Sequence, residues 1–215
     1  MVDFEGKSVL IDVSLDFREQ MLREKITTID AVLITHSHAD HIGGIPDLRS
    51  YTRHQRLPMI GSPQSLADIR NAYRYIFQRP ENEGGGIPDI DTKEVTGSFE
   101  LFGRSIIPIP VEHGSARGCI GYRIGSMAYI PDLKRLRPGS KEHLFGLDLL
   151  IIDALRDSRP HGTHMILPES ISLARELRAK RTIFTHLCHD IHYLRDADLL
   201  QPGMTFACDG MRVGV

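Results

Sequence analysis

Cysteine is scarce in this sequence: Cys119, Cys188 and Cys208 are the only three, and they lie far apart. That number and spacing exclude a disulfide framework and point to a reducing compartment, so a cytoplasmic setting is expected. No apolar run approaches the roughly 20 residues that span a bilayer. The first residues are acidic and polar and have no signal-peptide pattern. Charge of one sign is not in excess either: 26 Lys+Arg stand against 28 Asp+Glu, a net charge of −2. Such a balance gives no general attraction to nucleic acid or to an anionic membrane. Internal repeats, low-complexity tracts and long linkers are absent, and 41% hydrophobic residues are ordinary for a globular chain. Residues 1–215 are therefore expected to form a single domain with a sizeable core.

Histidine and carboxylate are concentrated in one place. Thr35-His36-Ser37-His38-Ala39-Asp40-His41-Ile42-Gly43-Gly44 puts three imidazoles and a carboxylate into six positions. The stretch follows Ala31-Val32-Leu33-Ile34, a run of strand length and β-branched content. His36 should leave the end of a strand, with the other ligands on the turn into a helix and the glycines allowing a tight backbone path. Alternation would let His36 and His38 face one side and Asp40 and His41 the other, which suggests two neighbouring metal ions. A polar loop rich in His has no reason to sit at this spacing after a buried type of strand.

Other polar residues repeat the pattern. His113 ends the apolar run from Ile106 to Val111, Asp132 follows Met127-Ala128-Tyr129-Ile130, and His186 follows Thr182-Ile183-Phe184-Thr185. His164 lies in the loop His161-Gly162-Thr163-His164. Paired metals need His and carboxylate ligands in about this number.

Taken in order, His36-x-His38-x-Asp40-His41, His113, Asp132 and His186 resemble the metallo-β-lactamase superfamily. Further segments are similar to one branch, the phosphoribosyl 1,2-cyclic phosphate phosphodiesterases of the carbon–phosphorus lyase pathway. They are Leu10 to Arg18, Ile45-Pro46-Asp47-Leu48-Arg49, Asp153-Ala154-Leu155-Arg156, His161 to His164, and Thr185 to Asp190. The resemblance covers essentially the whole chain. It implies an α/β fold, a four-layer αββα sandwich. His36, His38 and His113 would hold one divalent ion, and Asp40, His41 and His186 the second, with Asp132 bridging. Manganese or zinc is implied. His164 matches the branch's catalytic histidine near the substrate phosphate, and Asp40 is counted with it at the reacting centre. His161 and His189 are implied as groups beside the ligands.

The implied reaction is hydrolysis of a small cyclic phosphodiester, such as 5-phosphoribosyl 1,2-cyclic phosphate, by a hydroxide held between two metals. Alternatives from the same superfamily are a ribonuclease similar to transfer-RNA 3′-processing enzymes and a hydrolase of other esters. The absence of a basic, Gly-rich arm and the slightly negative charge argue against nucleic acid as partner. The partner expected is a small phosphorylated substrate and not a membrane. The branch's usual first strand and its Cys-containing insert have no counterpart here. His189 stands where the branch places a histidine of a structural zinc, but the cysteine partners are absent. A sheet edge left unpaired by the missing strand favours pairing with a second copy, a homodimer.

The coarse reading places a hairpin over Val2 to Val13 and helices over Phe17 to Lys25, Ser65 to Phe77 and Pro168 to Ala179. It places a buried strand over Leu147 to Asp153 and a closing hairpin over Thr205 to Val215 about Asp209-Gly210. The segment Glu81 to Pro88, with Gly84, Gly85 and Gly86, is expected to be a loop that borders the site.

Overall fold

The computed structural model describes residues 1–53, 55–78 and 86–215. Gly84 and Gly85 of the expected bordering loop lie outside the described residues. The chain forms two compact units, Met1–Thr96 and Gly97–Val215.

The first unit opens with β1 (Val2–Phe4) and β2 (Lys7–Ile11), an antiparallel pair. Glu5 and Gly6 both have positive φ (51° and 71°), the conformation of a two-residue hairpin turn. Three further strands, β3 (Ala31–Leu33), β4 (Leu57–Gly61) and β5 (Ile90–Glu94), continue the sheet in the order β1-β2-β3-β4-β5. From β2 onward every pairing is parallel. Parallel neighbours need crossovers, and helices supply them. They are α1 (Phe17–Arg23), α2 (Ala39–Ile42), α3 (Pro63–Ala72) and α4 (Arg74–Phe77). β3 is buried along its whole length, as its unbroken apolar run requires. Val32, Ile34, Met59, Leu66 and Ile69 pack in the core beside it.

The helix expected over Ser65 to Phe77 is two helices. Ser62 caps the first, its Oγ accepting from Ser65 N at 3.2 Å, and Pro63 takes the tolerated first position. The break falls at Tyr73 (φ −114°, ψ 45°), whose hydroxyl donates to Ile42 O at 2.9 Å. That anchor ties the break to the end of α2.

The second unit holds eight strands. β6 (Phe99–Leu101), β7 (Arg104–Glu112), β8 (Ile120–Ile124) and β9 (Met127–Ile130) form an antiparallel meander. β10 (Arg135–Leu136) pairs with the far end of β7. Beyond β9 the sheet turns parallel through β11 (Leu149–Asp153), β12 (Arg181–Thr185) and β13 (Met204–Phe206). α5 (Leu167–Leu177) crosses from β11 to β12, and α6 (Tyr193–Asp196) lies between β12 and β13. Ile109, Ala128, Leu150, Ile152, Leu167 and Phe184 form its core. Among the described residues no helix is long and apolar enough to cross a membrane.

The topology decides where the functional side chains fall. β9, β11 and β12 are parallel neighbours, so their carboxyl ends lie at one edge of the sheet. Asp132 comes two residues after β9, Asp153 ends β11, and His186 follows β12 directly. β7 runs in the same direction as β9, being antiparallel to β8, and His113 follows it.

The closing hairpin is not formed. Only Met204–Phe206 is a strand, and it pairs in parallel with β12. Ala207 N donates to Phe184 O at 2.8 Å, which keeps the chain along β12 until the Asp209-Gly210 turn. Residues 211–215 have no strand.

Asp196 ties down α6. It accepts from His192 N at 2.8 Å and from Arg195 Nε and Nη2, each at 2.6 Å. The Arg195 guanidinium first, and then the His192 N–H, push its carboxyl down to about 2. A carboxylate lowered on folding stabilises the fold fully above its unfolded value, and that contribution is lost as pH falls toward the folded value. Wild type should therefore lose thermal stability between pH 4 and pH 2 faster than Asp196→Asn, measured by circular dichroism melts across that range. Parallel curves would show that the pair contributes nothing.

Candidate metal centre

In the first unit the HxHxDH segment runs from the loop after β3 into α2. His36 is buried, whereas His38 and Asp40 are exposed. His36 and His38 fall in one group of candidate ligands and Asp40 and His41 in another, and the two groups adjoin. The first turn of α2 brings His41 back to His36, with ring centroids 4.1 Å apart, while His38 sits 4.6 Å from His36. Asp40 Oδ2 stands 3.4 Å from His41 Nε2.

Asp12 organises the cluster from behind. It directly follows β2 and is buried, with φ of +60°, a conformation that non-glycine residues rarely hold. One oxygen accepts from Thr35 N at 2.8 Å. The other accepts from Thr35 Oγ1 and from His41 Nδ1, both at 2.7 Å. A hydroxyl has one hydrogen, and Thr35 has given it to Asp12. Thr35 Oγ1, 3.1 Å from His36 Nδ1, must therefore accept from that ring. His36 and His41 both carry their hydrogen on Nδ1, which leaves the Nε2 lone pairs for a metal.

The glycines help by giving space, not by unusual dihedrals. Gly44 has φ of −87°, accessible to any residue. A Cβ there would stand 2.3 Å from Ser14 O and 2.6 Å from Phe17 Cβ. Its absence lets the backbone after β2 lie against α2, with Val13 N donating to His41 O at 2.7 Å and Gly44 N to Val13 O at 3.0 Å.

In the second unit Asp132 is the centre of a histidine group. Its Oδ1 lies 3.3 Å from His186 Nε2, 3.7 Å from His113 Nε2 and 3.7 Å from His164 Nδ1. The candidate ligand atoms of His113, Asp132 and His164 lie within 4.8 Å of one another, as do those of Asp153, His164 and His186. His113 Nδ1 donates to Thr163 O at 3.0 Å, so its Nε2 lone pair is also presented. Gly114 allows this contact: a Cβ on it would meet Thr163 Cγ2 at 2.4 Å. His186 has φ of +59° and stacks on His164, with centroids 4.8 Å apart.

Asp153 does for His164 what Asp12 does for His41. Its Oδ2 accepts from Leu133 N at 3.0 Å and lies 3.0 Å from His164 Nδ1. Met165 N reaches the same oxygen at 3.4 Å. An oxygen that already accepts main-chain N–H groups also accepts from the ring, so His164 Nδ1 carries a hydrogen. Burial first of all pushes the Asp153 carboxyl up to about 8, and the neighbouring Asp132 adds to this; Leu133 N–H and His186 oppose it.

His161 lies beside His164, with ring centroids 5.2 Å apart. Burial, and then His164, Arg156 and Lys134, lower its pKa. His189 is turned outward, 92% exposed, and stands 3.7 Å from Asp190. Reasoning from sequence missed the positions of Asp12, Thr35 and Asp153 behind the histidines. All three were visible only as parts of longer motifs.

The donor set fits a metal site. It consists of oriented imidazole nitrogens and carboxylate oxygens, with no thiolate, a combination that suits zinc, manganese or iron.

Residues 7–187 match the family described as the β-lactamase superfamily domain. The chain belongs to that superfamily. It carries a hydrolase domain of metallo-β-lactamase fold, as the sequence led us to expect. Its likeness to a crystal structure of a diphosphatase from the PhnP family reaches a TM-score of 0.90 at 38% identity, covering 99% of this chain and 82% of that one. Ribonuclease Z of Metallosphaera sedula is 36% identical over 219 residues, 96% of this chain and 69% of that protein. An octanoyltransferase of Porphyromonas gingivalis is 32% identical over 209 residues, 96% of this chain. The chain spans only 42% of that relative's length.

The hydrogen-bond chain through Thr35 has a measurable consequence. Thr35→Val keeps the shape but removes the acceptor for His36 Nδ1. Metal affinity, measured by competition with a chromophoric chelator, should fall about 10–100-fold, the usual effect of losing an outer partner of a ligand. An unchanged affinity would show that His36 keeps its tautomer without Thr35.

Proposed function

We propose that this domain is a metal-dependent phosphodiesterase that hydrolyses a small cyclic phosphodiester, such as 5-phosphoribosyl 1,2-cyclic phosphate. The observation that carries this reading is His164, held by Asp153 and placed against Asp132, His113 and His186. The 38% identity to a PhnP-family diphosphatase supports it.

Following the family pattern, His36, His38 and His113 would hold one ion and Asp40, His41 and His186 the other, with Asp132 bridging. Zinc or manganese bound there would supply charge neutralisation at the phosphate and a lowered pKa for water. The side chains have separate tasks. Asp132, whose Oδ1 faces three ring nitrogens, suits a shared carboxylate. Asp153 holds His164 Nδ1 and leaves Nε2 to carry a proton toward the leaving oxygen.

A second reading, a ribonuclease, draws on the likeness to ribonuclease Z of Metallosphaera sedula. Gel-shift binding to a transfer-RNA precursor would favour it over the small-substrate reading. We also propose that the β1 edge, which pairs only with β2 among the described residues, is covered by a second copy of the chain. Light scattering that shows only monomer at high concentration would remove the dimer.

The deciding experiment is hydrolysis of 5-phosphoribosyl 1,2-cyclic phosphate by metal-stripped protein before and after adding manganese or zinc. Turnover should appear with metal. His164→Ala should lower kcat by about 10²–10⁴-fold with metal content unchanged, the usual scale of general acid catalysis. Asp132→Ala should lower both. Full metal loading without turnover would sink the substrate assignment.

A further inference from the structure

Arg156 has no task in the reaction as derived so far, yet its backbone is fixed beside the site. Four main-chain hydrogen bonds hold the segment after β11. Ala154 N donates to Thr185 O at 3.0 Å, Leu155 N to Met165 O at 3.0 Å, Cys188 N to Leu155 O at 2.8 Å, and Leu167 N to Arg156 O at 2.8 Å. Residues 154–156 are thus fastened between the segment carrying His164 and the segment carrying His186.

The Arg156 side chain is only 22% exposed, and its Nε is buried without a hydrogen bond among the described residues. Its nearest carboxylate is Asp190, with Nε 4.0 Å from Oδ2, beyond hydrogen-bond range. Asp190 is already served by Arg159, whose Nη2 donates to it at 2.5 Å. A buried guanidinium N–H without an acceptor is costly unless a ligand supplies one. Arginine presents five N–H groups in a planar fork that fits phosphate, and it keeps its charge at any physiological pH.

His161 contributes a second donor. Thr163 N can only donate, and it lies 3.4 Å from His161 Nδ1, so that nitrogen accepts and the hydrogen is on Nε2. The bonds from Leu155 N to Met165 O and from Leu167 N to Arg156 O lay the Arg156 segment along the one that continues the His161 to His164 loop.

We propose that Arg156 and His161 form an anion subsite beside His164 that holds a phosphate of the substrate not involved in bond cleavage. This inference rests on the phosphodiesterase reading and deepens it by naming the residues that would select diesters carrying a second phosphoryl group. Arg156 is here a specificity-determining residue, and the reacting phosphate is left to the metal ligands and His164.

Two readouts test it on the metal-loaded protein. The first compares KM for 5-phosphoribosyl 1,2-cyclic phosphate, which has a second phosphate, with KM for bis(p-nitrophenyl) phosphate, which has none. Arg156→Gln should raise the first about 10–100-fold, the scale of a lost charged hydrogen bond. The second KM and both kcat values should change by less than about twofold, since binding away from the reacting atoms is what was lost. Arg156→Lys, which keeps the charge but not the fork, should fall between. Equal changes for both substrates would make Arg156 structural and overturn the proposal. The second readout is calorimetric binding of ribose 5-phosphate, with ribose as control. Binding that Arg156→Gln weakens about tenfold or more upholds the subsite even if no diester is turned over, a result that would sink the phosphodiesterase reading alone. Equal binding by wild type and variant would overturn the subsite.

Discussion

An imidazole can offer a lone pair from one nitrogen only while the other keeps the hydrogen, and the histidine groups of both units are built around that condition. His41 and His36 are set by Asp12, one directly and one through Thr35. His113 is set by the Thr163 carbonyl and His164 by Asp153. Each of these partners is buried or main-chain, so water does not compete for the ring. Two of the residues involved, Asp12 and His186, sit at positive φ. A left-handed conformation costs about 1–2 kcal/mol for a residue with a Cβ, and the surrounding hydrogen bonds must offset it.

Much of this could be read in the sequence because strand-end chemistry has a linear pattern. His36, His113, Asp132 and His186 each follow an apolar run, and the structure places each just beyond a strand. The parallel order of β9, β11 and β12 then gathers Asp132, Asp153 and His186 at one sheet edge. The partners behind the rings have no such pattern. Asp12 meets Thr35 across 23 positions and His41 across 29, and only folding brings them together. Asp153 reads as the last polar residue of a buried strand until Leu133 and His164 are seen to share its oxygen.

What the sequence left out has the same origin. Alternation paired His36 with His38 and Asp40 with His41, but it did not show that the turn into α2 sets His41 against His36. The glycines after it were read as allowing a tight backbone path, and at Gly44 the reason is steric, because Ser14 and Phe17 leave no room for a side chain. Asp209-Gly210 has the composition of a hairpin turn, but β13 is committed to a parallel neighbour and no returning strand forms. In each case a contact distant in sequence decided between local options that were all acceptable.

Asp153 Oδ2 takes the main-chain N–H of Leu133, the residue next to Asp132, and the ring of His164. One atom therefore fixes the spacing between the carboxylate at the centre of the histidine group and the histidine proposed for proton transfer. These two cannot drift apart without breaking a buried bond. Divergence among proteins built on this frame would then have to occur at the periphery, in segments that can be exchanged while the distance from Asp132 to His164 stays constant.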